Sequence, residues 1–212
     1  MNTPPPSRNV RQHLNAWLLH QADNLMDRIY GARKRFIYSQ LPSTVVEIGP
    51  GAGANLRYYA PHTRVIAIEP NRAVHPALSA VARRYGLELE IRTIKGESID
   101  LPDSSVPAVV GSLVLCSVDD PARVLSEVRR ILQPGGPYIF LEHVAALPGT
   151  RLRGLQHRLL TVWRWLFDGC HLNRDTHLAI GRAGFAQVDM DCFMMRSPWL
   201  PFAPHIFGRA LN

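Results

Sequence analysis

Glu47 stands just ahead of three glycines at alternate positions, Gly49, Gly51 and Gly53, in the run Thr-Val-Val-Glu-Ile-Gly-Pro-Gly-Ala-Gly-Ala-Asn that ends at Asn55. Glycine adopts positive φ without a steric penalty and lets a ligand lie against bare backbone. Between an apolar strand and a helix, such a turn offers unpaired N–H groups and a partial positive charge. Two nucleotide-type ligands use the device. A dinucleotide would rest its pyrophosphate there, and Gly49, Gly51 and Ala54 keep the G-x-G-x-x-G/A spacing it needs. S-adenosylmethionine has no phosphate and carries an ammonium instead. Glu47 turns the balance towards the second, because a carboxylate at the strand end attracts an ammonium and repels a pyrophosphate. A turn kept for structure alone is the remaining reading.

Further acids fall where strands end. Glu69-Pro70-Asn71 closes an uncharged run, and a carboxylate there can accept both hydroxyls of a ribose. Glu97-Ser98 lies in a polar loop behind the next strand. Glu97 could accept from an adenine amino group, and the Ser98 backbone could reach the ring.

These residues meet only if strand and helix alternate. The apolar pattern predicts strands over 44–48, 64–69, 88–94, 106–117 and 138–143, with helices over 54–59, 72–85 and from Asp119 or Asp120 to Leu132 between them. Such alternation argues for a parallel α/β sheet covered by helices on both faces. Ligands then sit outside the carboxyl ends of the strands. A helix over 151–167, a short helix over 176–182 and two antiparallel strands, 185–195 and 206–211, complete the chain, seven strands in all. At the other end, residues 1 to about 9 are expected to be loose. Leu14, Trp17, Leu18, Leu25, Ile29 and Phe36 mark two amphipathic helices, broken near Gly31 or shortly before it. They read as a lid over the site, as an ordinary packed element, or as a surface helix touching membrane. The division expected is a helical cap over 1–40 and a catalytic domain over 41–212.

A chain of 212 residues with 46% hydrophobic and 19% charged residues is an ordinary single globule. The net charge of +7 favours anionic partners, yet the arginines are scattered in doublets such as Arg83-Arg84 and Arg129-Arg130. Solvated helix faces explain them better than a nucleic-acid surface. Cys116, Cys170 and Cys192 are odd in number, widely spaced and free of any C-x-x-C, so neither a disulfide framework nor a metal site is expected, and a reducing cytoplasm fits. No apolar run reaches the length of a membrane span.

Taken together, Glu47-Ile-Gly-Pro-Gly-Ala-Gly, Glu69-Pro-Asn, Ser112-Leu-Val-Leu-Cys-Ser-Val, Leu132-Gln-Pro-Gly-Gly and Leu141-Glu-His-Val resemble the motif series of class I S-adenosylmethionine-dependent methyltransferases, in particular the ubiquinone-biosynthesis-like branch. Asp168-Gly-Cys-His-Leu-Asn-Arg-Asp-Thr and Pro204-His-Ile-Phe-Gly-Arg-Ala resemble the methyltransferase-like 7 group, whose members are alkyl thiol S-methyltransferases. The likeness runs from about Tyr30 to the C-terminus. It departs at the polar N-terminus, where that group has an apolar membrane anchor, and at Val106-Pro107-Ala108, where the branch usually has an aromatic and an acid. The resemblance implies a Rossmann-like doubly wound sheet with S-adenosylmethionine as cofactor. It adds Tyr30, Leu113 and Val114 to the cofactor set of Glu47, Gly49, Gly51, Gly53, Asn55, Glu69, Pro70, Asn71, Glu97 and Ser98. A small, apolar thiol is the implied acceptor; phenols, amines or carbon acids are the alternatives within the same chemistry, and a nucleic-acid methyltransferase or a binding module without turnover are the remoter ones. A thiol reacts as thiolate, so a nearby base helps. His143 is the first candidate, followed by Asp168, His171 and His205, with Cys116 and Cys170 taken as packing residues. Trp17, Trp163, Trp165 and Trp199 suggest an apolar acceptor pocket.

Overall fold

The computed structural model describes Asp27 and residues 30–167, 169–195 and 200–212. The strands are β1 (Thr44–Ile48), β2 (Arg64–Ile68), β3 (Glu88–Arg92), β4 (Val109–Ser112), β5 (Pro137–His143), β6 (Gln187–Met194) and β7 (Pro204–Leu211). The helices are α1 (30–38), α2 (His75–Arg84), α3 (Pro121–Ile131), α4 (Arg151–Leu166) and α5 (Thr176–Arg182). All seven strands join one sheet in the order β3-β2-β1-β4-β5-β7-β6. β1 to β5 pair in parallel, while β7 runs antiparallel to both β5 and β6. This is the α/β sheet with an antiparallel close that the alternation of elements predicts.

Successive side chains on a strand point to opposite faces. Val45, Val65, Ala67 and Val110 pack against Leu78 and Ala82 of α2. Val46, Ile48, Ile66, Ile68 and Val109 pack against Val124, Leu125 and Val128 of α3. Burial on both faces is why the parallel strands read as unbroken apolar runs. The strand order reverses between β1 and β4, and the crevice at their carboxyl ends is where ligands enter such sheets.

Two local expectations need correction. The helix expected over 54–59 is a single 3₁₀ turn, Leu56–Tyr58, because Gly53 at φ 91° precedes it and Pro61 blocks any extension. The glycine turn therefore presents backbone, not the end of a long helix dipole. The fourth strand is shorter than 106–117: Val106 makes only an isolated bridge to Leu132, and Leu113 at φ 56° turns the chain out of the sheet. Cys116 consequently lies on the turn beyond β4. Residues 30–38 are helical through Gly31; a break shortly before it, like Trp17 and most of the expected cap, lies outside the described residues. Among the described residues no helix is long and apolar enough to cross a membrane.

Candidate active site

Two glycines shape the turn for different reasons. Gly49, at φ 62°, has no room for a side chain, since a Cβ there would lie 2.5 Å from Val114 Cγ2. Gly51, at φ 57°, would have nothing within 4 Å of a Cβ, so its backbone faces open space. Its N–H donates to Glu69 Oε2 at 3.0 Å, and the Asn71 N–H donates to Glu69 Oε1 at 2.8 Å. The carboxylate at the end of β2 is thus held by the β1 turn, and each oxygen keeps a lone pair for an outside hydroxyl. Asn71 also caps the turn that follows, its Oδ1 accepting from the Ala73 N–H at 3.1 Å.

Glu47 behaves otherwise. It is fully buried, Asn55 Nδ2 donating to Oε1 at 2.7 Å and the Tyr59 hydroxyl to Oε2 at 3.0 Å. Lys34 Nζ, from α1, donates to Asn55 Oδ1 at 2.6 Å and reaches Ser112 Oγ at 3.4 Å. Burial pushes the Glu47 carboxyl above its ordinary value, opposed by the bonds from Asn55 and Tyr59 and by the Lys34 charge. The acid expected to clasp an ammonium directly is sealed beneath the turn, and the Asn55 amide connects it to a cation. These groups fit S-adenosylmethionine. A rigid carboxylate with spare lone pairs suits a diol, and a buried acid linked to a lysine offers both signs to a zwitterionic amino-acid end.

The remaining cofactor candidates are more mixed. Glu97 Oε1 accepts from the N–H groups of Asp119 and Asp120 at 3.0 and 3.3 Å, tying its loop to the start of α3. The Ser98 N–H donates to Lys95 O at 3.1 Å, closing a turn. Leu113 N–H donates to Leu141 O at 2.7 Å, and Val114 N–H to Glu142 Oε1 at 3.0 Å. Both of these backbone donors at the end of β4 are therefore already engaged. Tyr30 is buried against Phe193 and His205, at ring distances of 5.5 and 5.7 Å, and its hydroxyl has no partner among the described residues.

The other half of the crevice lies over β5 and β7. Their register sets His143 directly opposite His205. Phe202 packs on both rings at 4.7 Å. His205 Nδ1 lies 3.1 Å from Ala203 O; a carbonyl only accepts, so Nδ1 carries the proton and the buried Nε2 presents a bare lone pair. Burial pulls His205 down to about 3. Glu142, which sequence reasoning left out, is fully buried; its Oε2 has no partner among the described residues, and burial pushes it up to about 7.

Next to these groups the turns after β4 and α4 meet. His143 Nε2 lies 3.0 Å from Cys170 Sγ, and Trp163 Nε1 donates to the same sulfur at 3.3 Å. Hydrogen bonding from Cys116, then the neighbouring His143 and Trp163, pulls the Cys170 thiol down to about 4, while Cys116 is pushed up in turn. The His171 N–H donates to Cys116 O at 2.8 Å, and its Nδ1 lies between that carbonyl and Arg174 Nη2, at 3.3 and 3.2 Å. Burial and the Arg174 charge lower His171. His143, His171 and His205 are thus gathered on one side of the crevice, whereas Asp168 lies outside the described residues. The two cysteines are neighbours, which their separation along the chain concealed. Of the tryptophans, Trp163 is buried, Trp165 is 58% exposed, and Trp199 lies outside the described residues.

Comparison with known proteins agrees with this architecture. Residues 46–140 match the family model described as a methyltransferase domain. The chain is 36% identical over 219 residues to thiol S-methyltransferase TMT1B of Homo sapiens, covering 98% of this chain and 88% of that protein. It is 37% identical over 192 residues to TMT1B of Rattus norvegicus, covering 85% and 79%. A SAM-dependent methyltransferase structure from Thermotoga maritima superposes with a TM-score of 0.63 at 20% identity, over 94% of this chain and 98% of that one, which speaks for the fold. The chain belongs to the methyltransferase family of the TMT1 proteins, and S-adenosylmethionine is its methyl donor.

Proposed function

We propose that the chain methylates the sulfur of a small apolar thiol. The observation that carries this reading is the 36% identity, spread over 98% of the chain, to a protein named thiol S-methyltransferase. The bound donor supplies an electrophilic sulfonium methyl. Glu69 accepts the ribose hydroxyls, and Glu47, Asn55 and Lys34 together receive the amino-acid end. Glu97 Oε2 is the oxygen left for the adenine amino group. In-line displacement asks chiefly for alignment and the exclusion of water. Tyr30, Phe193 and Phe202 supply apolar walls for both. Among the imidazoles, burial pulls His205 down to about 3 and lowers His171, which counts against both as bases; His143, its Nε2 3.0 Å from Cys170 Sγ, is the base we assign. Tyr30 and Lys34 both come from α1, which supports reading residues 1–40 as a cap over the crevice and 41–212 as the catalytic domain. Arginines paired locally, such as Arg64 with Glu90 and Arg130 with Glu127 and Asp103, support a small-molecule acceptor over a nucleic acid. The three cysteines, none of them in a disulfide, support a reducing compartment, the cytoplasm.

A panel of alkyl thiols, phenols and amines, followed by release of S-adenosylhomocysteine, tests the reading. Thiols are expected to turn over at least roughly tenfold faster than phenols or amines of matched size. Turnover of a phenol or amine, with thiols inert, would overturn it.

A further inference from the structure

Cys116 Sγ, His143 Nε2 and Cys170 Sγ all lie within 4.8 Å of one another, and all three residues are buried. They come from separate parts of the fold: the turn after β4, the last residue of β5, and the turn behind α4. No contiguous metal-binding spacing announces them. We propose that these three side chains hold one thiophilic divalent cation, Zn²⁺ by preference, whose fourth position takes the sulfur of the acceptor thiol. The assignment of that fourth position rests on the thiol reading above; the three-ligand site does not.

Ligand type selects the ion. Thiolate and imidazole favour zinc over magnesium or calcium, which seek oxygen. Distances of about 2.3 Å to sulfur and about 2.0 Å to nitrogen place tetrahedral ligand atoms roughly 3.5–3.8 Å apart. A cluster spread over at most 4.8 Å, with Nε2 and Cys170 Sγ at 3.0 Å, needs shifts of only about an ångström or less to match. Two thiolates and a dication sum to zero charge, which a buried site tolerates better than a lone thiolate. Parts of the surround are already in place. The Trp163 indole N–H points at Cys170 Sγ, and the His171 N–H pins the Cys116 carbonyl. Arg174 holds the same turn through Leu115 O at 2.6 Å and Val118 O at 2.7 Å.

Three protein ligands with an open position are the pattern of catalytic zinc, whereas structural zinc is closed by four. The proposal aims the open position at the crevice: Cys116 stands two residues past Val114 on one turn, and the Val114 side chain packs on Gly49. The site changes what His143 does, from base to ligand. The acceptor's S–H proton passes to solvent as its sulfur binds the cation. The sulfur lone pair then forms the new S–CH₃ bond as the donor's S–CH₃ bond breaks. Nothing is oxidised or reduced, and the product thioether, a weaker ligand than a thiolate, departs.

The untagged full chain, stripped by a chelator under reducing conditions, reloaded with Zn²⁺ and desalted, should retain about one zinc per chain by atomic emission. Cys116→Ser and Cys170→Ser should each weaken retention by at least about tenfold, and Cys192→Ser, at the exposed thiol, should not. Loading with Co²⁺ should give a sulfur-to-cobalt charge-transfer band that each of the first two variants weakens. A thermal shift with S-adenosylhomocysteine confirms that every variant still folds. Wild type that folds and binds this product but retains no zinc overturns the site, as does a Cys192→Ser variant that loses zinc equally. Thiol turnover unchanged by stripping overturns the role of the fourth position. Zinc held as expected by a chain that methylates no thiol supports the site and removes the thiol reading instead.

Discussion

Both oxygens of Glu47 accept hydrogen bonds from Asn55 and Tyr59, and burial still raises its carboxyl above the ordinary value. The sign of its effect on stability follows. A carboxyl whose value is higher in the folded than in the unfolded chain binds its proton more tightly when folded. Its stabilisation is therefore full below the unfolded value and is lost as pH rises through the folded one. Glu47→Gln keeps an acceptor for the Asn55 amide and offers an N–H to the Tyr59 hydroxyl, while removing the ionisation. Urea unfolding of the ligand-free chain should show the variant gaining on wild type as pH climbs from about 4 to 8. The same variant should bind S-adenosylhomocysteine roughly tenfold more weakly, about 1.4 kcal/mol, because the site loses its fixed negative charge. Parallel stability curves, or unchanged affinity, would count against an ionised Glu47 serving the cofactor. The acid and the glycines were legible because their types are unusual at a strand end. Lys34 was not: a lysine on an amphipathic helix looks the same whether it faces solvent or Asn55.

At the scale of elements, legibility followed burial. β1, β2 and β5 are enclosed on both faces and stand out as apolar runs. The end of β4 is set by Leu113 at φ 56°, a residue type with no turn preference, so the apolar pattern ran on past it and carried Cys116 with it. The place of α4 was equally hidden. Its apolar spacing predicts a helix, but the anchor is Gln156, which is fully buried. Its Oε1 accepts from the Ala146 N–H at 2.8 Å, and its Nε2 donates to Val144 O at 3.2 Å and to Pro201 O at 2.9 Å. One side chain thus binds α4 to the exit of β5 and to the segment leading into β7. Trp163 and Cys170 depend on that anchorage for their places beside His143. Gln156→Leu, of similar size, would leave those backbone groups unpaired and should cost about 2–4 kcal/mol. Thermal melting reads the loss, and a destabilisation of no more than about 0.5 kcal/mol would show that α4 is held by apolar contact alone.

Across the whole molecule the sheet divides the work. β1, β2 and β3 carry or lead into Glu47, Glu69 and Glu97, the carboxylates proposed for the amino-acid and nucleoside ends, while β5, β7, α1 and α4 build the side proposed to face the acceptor. The first half was legible because its chemistry lies in short contiguous motifs. The second was not, because its partners meet only through the register of β5 with β7 and through the turn behind α4. A ligand gripped by the first half should stabilise the chain as one cooperative unit, since the sheet is continuous. S-adenosylhomocysteine at about a hundred times its dissociation constant should add about 2.7 kcal/mol, raising Tm by roughly 5–10 °C for a chain of this size. Glu69→Ala removes the acceptor for the ribose hydroxyls and should weaken this ligand by about a hundredfold, so most of the shift at that concentration disappears. NAD, whose pyrophosphate would meet the buried Glu47 beneath the glycine turn, should leave Tm where it was. A Tm raised by NAD and indifferent to S-adenosylhomocysteine would mean that the turn holds a pyrophosphate after all, and the roles assigned to Glu47 and Glu69 would fall together.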